Sequence, residues 1–359
     1  MITLKQILAV GLLMTALHLP PASGAPEVAR HRPILTGYWH NWNSPGRNVP
    51  LRDVPAWFDH VHIAFAFPVR KNSGEIIFTP YQSTPDAFRA DLRRLQQRGA
   101  KVILSLGGGN HPIELKTPAM RDAFVRSVNN LITLYGFDGI DLNLEGASII
   151  LDKGDTNFRR PTTPKIVHMI EAVKELRRRR GPGFIITAAP ETRPVTGAYG
   201  RYGVDSGGWL PLLHHLRNEL NLVHFQLYNS GTQYALIRKA GQVQHHIVKQ
   251  GTPEFAVGLA EMLILGFPIA MDPKNVFPGL GAEKVSLGFP AYASEGFQKP
   301  SQVRQIVDIL QKGDPRNRFH MRQPSGHPRL GGVMMWSINW DYAAKPVGSF
   351  PLARAIKTP

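Results

Sequence analysis

The chain contains no cysteine. Disulfide staples, thiolate metal sites and cysteine nucleophiles are thereby excluded, and an apolar core must hold the 359 residues together. Acidic residues are also scarce, 26 Asp and Glu against 42 Lys and Arg, which leaves a formal net charge of +16. Such a surface attracts polyanions. The cations are scattered, however. The densest run, Arg177 to Arg180, precedes Gly181-Pro182 at the end of an amphipathic stretch, where it complements a helix dipole. No zinc-finger spacing or nucleic-acid motif accompanies it, so no nucleic-acid partner is expected. Beyond the N-terminus, no apolar run reaches the roughly 18 residues that a membrane span needs, and no stable membrane insertion is expected.

The first residues have a layout of their own. Lys5 is followed by an apolar run from Ile7 to Leu19, then Pro20-Pro21, then small residues from Ala22 to Ala25. This is the pattern of a secretory signal peptide over residues 1–25, with 26–359 as the mature, exported chain, extracellular or periplasmic. No linker, low-complexity stretch or repeat divides the remainder, and a single-domain monomer is expected.

Within it, eight short apolar runs alternate with amphipathic stretches. The expected strands are 34–42, 60–68, 101–108, 138–145, 184–191, 222–229, 285–291 and 332–340. Helices are expected at 84–97, 120–135, 165–179, 211–220, 254–265 and 302–311, with a closing helix at 350–356. Thr-Pro pairs at Thr84, Thr117, Thr163 and Thr252 supply an N-cap followed by proline at the first helical position. Eight βα units in a row predict an α/β protein, a closed (β/α)8 TIM barrel, with its chemistry at the C-terminal ends of the strands.

One strand carries acids. In Asp138-Gly-Ile-Asp141-Leu-Asn143-Leu-Glu145, strand alternation sets Asp141, Asn143 and Glu145 on one face and Ile140, Leu142 and Leu144 on the other. The apolar face packs against helices, so the polar face points into the barrel near its mouth. Unpaired acids there are costly, which argues for mutual hydrogen bonds and a function.

This segment resembles the Asp-x-x-Asp-x-Asp-x-Glu signature of family 18 glycoside hydrolases, the chitinases and endo-β-N-acetylglucosaminidases. Other segments are similar in the same order. Ser105-Leu-Gly-Gly108 resembles the third-strand motif. Gln226-Leu-Tyr228-Asn229 resembles the sixth-strand motif of a branch similar to hevamine. Trp336 resembles the tryptophan flooring the cleavage subsite, and Tyr38, Phe65 and Ala188-Ala-Pro-Glu191 occupy family positions. The resemblance implies substrate-assisted hydrolysis of β-1,4-linked N-acetylglucosamine polymers with retention, in which the acetamido oxygen is the nucleophile. It implies Glu145 as acid and base, and Asp141, Asn143 and Tyr228 as its catalytic partners. Tyr38, Phe65, Ser105, Gln226, Asn229 and Trp336 would bind substrate. About 40 residues separate the last two strands, a normal length for one βα unit, so the α+β insertion of the processive branch is absent and an open, endo-acting groove is expected.

The departure is Asn143, where the family has Asp. Its amide still accepts a hydrogen bond but supplies no negative charge. Removing a like charge beside Glu145 lowers that residue's pKa relative to an Asp-bearing relative. Two alternatives follow: an endo-β-N-acetylglucosaminidase acting on N-glycans, and a weakly or non-catalytic chitin-binding lectin. No cofactor or metal is expected. His214-His215 and His245-His246 lack the spacing of a helical zinc site, and Gly107 to Gly109 lacks the lysine of a phosphate loop. Ser206-Gly-Gly has no nucleophile-elbow context. Among the tryptophans, Trp42, Trp209 and Trp340 are balanced between sugar platform and core, while Trp57 leans to core.

Overall fold

The computed structural model describes residues 31–357; the expected leader over 1–25 lies outside them. Eight parallel strands form the framework: β1 (Ile34–His40), β2 (His60–Pro68), β3 (Lys101–Gly107), β4 (Gly139–Asn143), β5 (Ile185–Ala188), β6 (Leu222–Gln226), β7 (Val285–Pro290) and β8 (Gly332–Trp336). Each pairs in parallel with its sequence neighbours. The ring closes where β1 pairs with both β2, at Thr36↔His60, and β8, at Ile34↔Gly332. The expected (β/α)8 barrel is therefore the observed fold.

Apart from a single helical turn at Arg193–Thr196, the helices between strands are α1 (Pro85–Gln97), α2 (Pro118–Tyr135), α3 (Pro164–Arg180), α4 (Leu210–His215), α5 (Pro253–Leu265) and α6 (Pro300–Lys312). α7 (Ile338–Ala343) and α8 (Pro351–Lys357) follow the last strand. In α1, Phe88, Leu92 and Leu95 recur at i, i+4 and i+7 and are buried against the barrel. The Thr-Pro device works at three of its four sites, where Thr84, Thr117 and Thr252 each accept a backbone N–H from the first turn. Thr163 caps nothing with its side chain; its hydroxyl donates to Asp155 at 2.7 Å instead.

Two apolar clusters with different surroundings result from strand alternation. Outward side chains such as Ile63, Leu104, Leu142, Phe225, Leu287 and Val333 join the large core between strands and helices. Inside the ring lies a small separate cluster of Tyr38, Ala64, Ala189, Tyr228 and Met334, with Phe65 and Trp336 packed on it. The rest of the lumen is polar: Thr36, His62, Ser105, Asp141, Thr187, His224 and Ser286 have no solvent exposure. This departs from the branched apolar layers that usually fill such barrels.

Several expected elements are too long. β4 stops before Glu145, β6 before Tyr228, and β8 at Trp336 rather than residue 340. There Ser337 turns the chain, its hydroxyl accepting the N–H of Trp340 at the start of α7. α4 ends at His215, five residues short of expectation. Three antiparallel pairings were not expected: the end of β2 with Ile76–Ile77, Thr232–Lys239 with Gln242–Lys249, and Phe267–Ile269 with Asp272–Phe277. Between β7 and β8, α6 is the regular element and no α+β insertion is present among the described residues.

The arginine run also does more than complement a dipole. Arg177 donates to the carbonyls of Pro182, Phe184 and Glu219 and to Asn221 Oδ1, tying the end of α3 to the chain entering β5 and β6. Arg180 bonds Asn129 and Thr133 of α2, while Arg178 and Arg179 pair with Glu175.

Candidate active site

The C-terminal ends of the strands enclose a cleft of about 480 Å³. Glu145, two residues past β4, stands in its wall with Asn143, Gln226, Tyr228 and Asn229. Gln226 lies at the centre of this group. Its amide nitrogen is 2.8 Å from the Ala189 carbonyl, 3.2 Å from Asn143 Oδ1 and 3.3 Å from Glu145 Oε1. Two amide hydrogens shared among three acceptors orient both neighbours at once. Asn143 therefore turns its oxygen toward Gln226, which occupies one of its two lone pairs. Gly109 makes room for the acid, since a Cβ at that position would lie 3.1 Å from Glu145 Oε2.

Beneath the cleft, Asp141 accepts three hydrogen bonds of 2.7 Å, from Tyr38 Oη and Ser105 Oγ on Oδ2 and from Thr187 Oγ1 on Oδ1. Burial opposes its ionisation. The neighbouring His62 and His224 and the hydrogen bond from Thr187 outweigh that and hold the carboxyl below the usual range. Burial also raises the phenols of Tyr38 and Tyr228 well above their ordinary value, so both remain hydroxyl donors.

One side of the cleft is aromatic. Phe65 and Trp336 lie nearly parallel at 5.7 Å, and Trp42 stacks near Phe65 at 6.0 Å. These flat apolar faces suit the axial C–H faces of pyranose rings. Of the undecided tryptophans, Trp42 is 37% exposed and belongs to this wall, whereas Trp209 is fully buried. Trp340 is covered by Arg47 at 3.5 Å and stacks on Tyr292 at 4.1 Å. The cleft thus brings together Phe65, Asn143, Glu145, Gln226, Tyr228, Asn229 and Trp336, while Tyr38, Ser105 and Asp141 lie below it.

A matching family model decides what this barrel is: glycosyl hydrolases family 18, over residues 34–305. The chain belongs to glycosyl hydrolase family 18. It is 41% identical to Chitinase Chi52 of Paenibacillus xylanexedens over 86% of its length, and 37% identical to Exochitinase 1 of Streptomyces olivaceoviridis over 89%. It spans 58% and 54% of those two relatives, respectively. A family 18 chitinase structure from Chromobacterium violaceum superposes with a TM-score of 0.79 at 33% identity, covering 92% of this chain and 84% of that one.

In this family 18 barrel the residue that sequence reading left in the background is Glu191. It closes the β5 segment, pairs with Gln226 through a backbone bridge, and has its own carboxyl raised by burial. Burial, reinforced by the Glu191 charge and opposed by the Gln226 amide, pushes Glu145 up to about 7. A like charge thus stands beside the acid although Asn143 supplies none. The sequence signals for this were the place of Glu191 at a strand end and its segment Ala188-Ala-Pro-Glu191 at a family position, neither of which gave it a role. Phe67 and His111, stacked at 4.4 Å on the cleft edge, had no motif to mark them.

The signs of two substitutions follow. With Glu145 in the general-acid role that the resemblance implies, which works only while protonated, the basic limb of the rate profile would track its pKa. Glu191→Gln removes a like charge and is expected to move that limb to lower pH. Asn143→Asp adds one and is expected to move it to higher pH. Profiles of kcat/KM against pH for the three proteins check both directions; limbs that coincide would remove Glu191 and Asn143 from the electrostatics of Glu145.

Among the described residues one group, His62, Asp141 and His224, brings ligand-type atoms within 4.8 Å of one another. Asp141 Oδ2 already accepts two hydroxyl hydrogens and Oδ1 one, so hydrogen bonds fill three of the four lone-pair sites of the carboxylate and leave one on Oδ1.

Proposed function

We propose that this chain is a secreted chitinase that cleaves internal β-1,4 bonds of N-acetylglucosamine polymers with retention. The observation carrying this reading is a single carboxyl, Glu145, held near neutrality in a cleft whose other wall is a row of aromatic faces. At about 7, the acid stays protonated long enough to donate and ionises readily enough to accept.

The chemistry runs in two displacements. The acetamido carbonyl oxygen of the sugar attacks C1 while Glu145 gives its proton to the departing glycosidic oxygen. The resulting oxazolinium is opened by water at C1, and the Glu145 carboxylate takes the water's proton. Two inversions leave the β-anomer. Tyr228 holds the acetamido group under C1, and the Gln226 amide keeps Asn143 and Glu145 in register. Orientation of this kind is worth several kcal/mol. Trp336, with Phe65 and Trp42 beside it, stacks the scissile sugar and its neighbours. Nothing in this scheme calls on a cofactor.

The test is hydrolysis of chitin hexasaccharide by the purified protein, with products resolved by mass and anomer. Internal cleavage to β-anomers supports the proposal. Disaccharide release from one end would keep the chemistry and overturn the endo mode. Binding without cleavage would make the protein a lectin, and neither binding nor cleavage would redirect the search to N-glycan cores.

A further inference from the structure

We propose that the cavity between the segments following β7 and β8 is a second binding site for an N-acetylated sugar, which grips the polymer outside the cleft through the side-chain amide of Gln298. This rests on the reading of the chain as acting on N-acetylglucosamine polymers. The cavity encloses about 520 Å³, within the roughly 300–1,000 Å³ of small-molecule sites. Its walls are largely apolar, from Ala291, Phe297, Pro300, Ala343, Ala344 and Leu352. Gln298 lines it too. That residue is 1% exposed, and neither its amide oxygen nor its amide nitrogen has a hydrogen-bond partner. A buried amide unpaired at both ends is costly, and this one borders a space from which a ligand can pair it.

The charges in the walls are already engaged. Arg47 lies over the Trp340 ring at 3.5 Å, and the Asp341 oxygens accept the N–H groups of Leu352 and Ala353, each at 2.9 Å. Lys345 is exposed at the rim. The ligand that suits such walls is neutral. It must accept from the Gln298 NH2 group, donate to the Gln298 carbonyl oxygen and present apolar surface to the alanines and prolines. An acetamido sugar does all three: its amide carbonyl accepts, its N–H and hydroxyls donate, and its methyl group is apolar.

Position favours a sugar over a peptide, whose backbone offers similar groups. Trp340 of the cavity stacks on Tyr292 at 4.1 Å, and the Ser337 hydroxyl that caps α7 stands between it and Trp336 of the cleft. The Ala291 N–H donates to the Trp336 carbonyl at 2.7 Å. The two spaces therefore share a wall at the C-terminal end of the strands. A polymer held in the cleft brings further N-acetylglucosamine units, its own or those of adjacent chains in the solid, to the cavity at high effective concentration.

Indole ¹⁵N signals separate the two sites, Trp336 reporting on the cleft and Trp340 on the cavity. In Glu145→Gln, which prevents turnover, chitobiose is expected to shift both, whereas cellobiose, which lacks acetamido groups, is expected to leave Trp340 in place. Adding Gln298→Met keeps the side-chain length without the amide. The affinity read from Trp340 is then expected to weaken by about ten-fold or more, while that read from Trp336 stays within about two-fold. In the active protein, Gln298→Met is expected to lower retention on insoluble chitin by about three-fold or more, with kcat/KM on chitin hexasaccharide within about two-fold. The proposal is overturned by a Trp340 signal that ignores chitobiose, that moves equally with cellobiose or a blocked dipeptide amide, or that responds equally in Gln298→Met. Unchanged retention of the folded variant overturns it as well. If Gln298→Met does not fold, crystals of Glu145→Gln grown with chitobiose decide: a sugar against Gln298 supports the site, and its absence there overturns it. If Trp336 ignores chitobiose, the proposed function fails, while Trp340 still reports on the second site.

Discussion

Glu145→Gln is expected to lower kcat on chitin hexasaccharide by about 10² to 10⁴-fold, the usual worth of a positioned proton donor, while oligosaccharide affinity stays within a few-fold of wild type. The amide keeps the shape of the side chain and its place beside Gln226, so the aromatic wall and the floor are undisturbed. The same substitution carries a second expectation, in stability. The folded chain holds the Glu145 carboxyl at about 7, above its value in the unfolded chain. A group raised in this way contributes stability that is complete below about pH 4.5 and lost as pH rises through 7. The amount is roughly 3 kcal/mol, because above pH 7 the buried carboxylate must remain charged. Gln at 145 never ionises. The variant is therefore expected to melt several degrees above wild type at pH 8 and close to it at pH 4. Melting curves of both proteins at the two pH values check this; a difference that ignores pH would mean that the ionised acid costs the fold nothing.

The largest loss of stability is expected at Asp141. Asp141→Ala removes the common acceptor of Tyr38, Ser105 and Thr187 and strands three hydroxyls in a lumen without water contact. Each buried donor left unpaired costs about 1–3 kcal/mol, so a total of roughly 3–9 kcal/mol is expected for the three, enough to lower the melting temperature by about 5–10 °C. Under conditions where the variant stays folded, kcat should also fall, because nothing then orients Tyr38 and Ser105 beneath the cleft. Denaturant unfolding gives the measurement, and a free energy within 1 kcal/mol of wild type would show that the lumen reorganises around the missing carboxylate.

How far the sequence was readable depended on which signal each part of the chain carried. All eight strands are found where period-two alternation met apolar residues, because in a barrel one face of every strand must be buried. Their ends were overrun because the chain stays apolar and aromatic beyond the last ladder bond, at Trp42, Tyr228 and Trp340, where function or packing rather than pairing requires those side chains. The hairpins escaped notice for a different reason. Tight two-residue turns normally advertise themselves with Asn-Gly or Asp-Gly, since both central residues need positive φ. Here the turns are Ala240-Gly241 and Ala270-Met271, with φ of 49°, 80°, 50° and 60°. The second contains no residue that favours this conformation. It is held from outside, by hydrogen bonds of 2.8 Å from the Ala270 and Met271 amides to the carbonyls of Ala198 and Tyr199. Such tertiary support has no local signature. In the site, the motif residues were legible because strand alternation predicts which side chains share a face. The charge of Glu191 beside Glu145 and the nearness of His62 and His224 to Asp141 were not, since both depend on which strands become neighbours across the lumen.

The separation of the two apolar clusters bears on how this barrel can change over evolutionary time. The large core seals strands to helices and carries the burden of folding, whereas the lumen contributes a few aromatic and small residues around a polar shaft. Selection can therefore rewrite the mouth of the shaft, above the hydrogen-bonded Asp141, with little penalty in foldability. An acid can become an amide, as at Asn143, or a catalytic glutamate can be erased, and the scaffold still presents its groove. A barrel built in this way has a short mutational path between hydrolase and sugar binder.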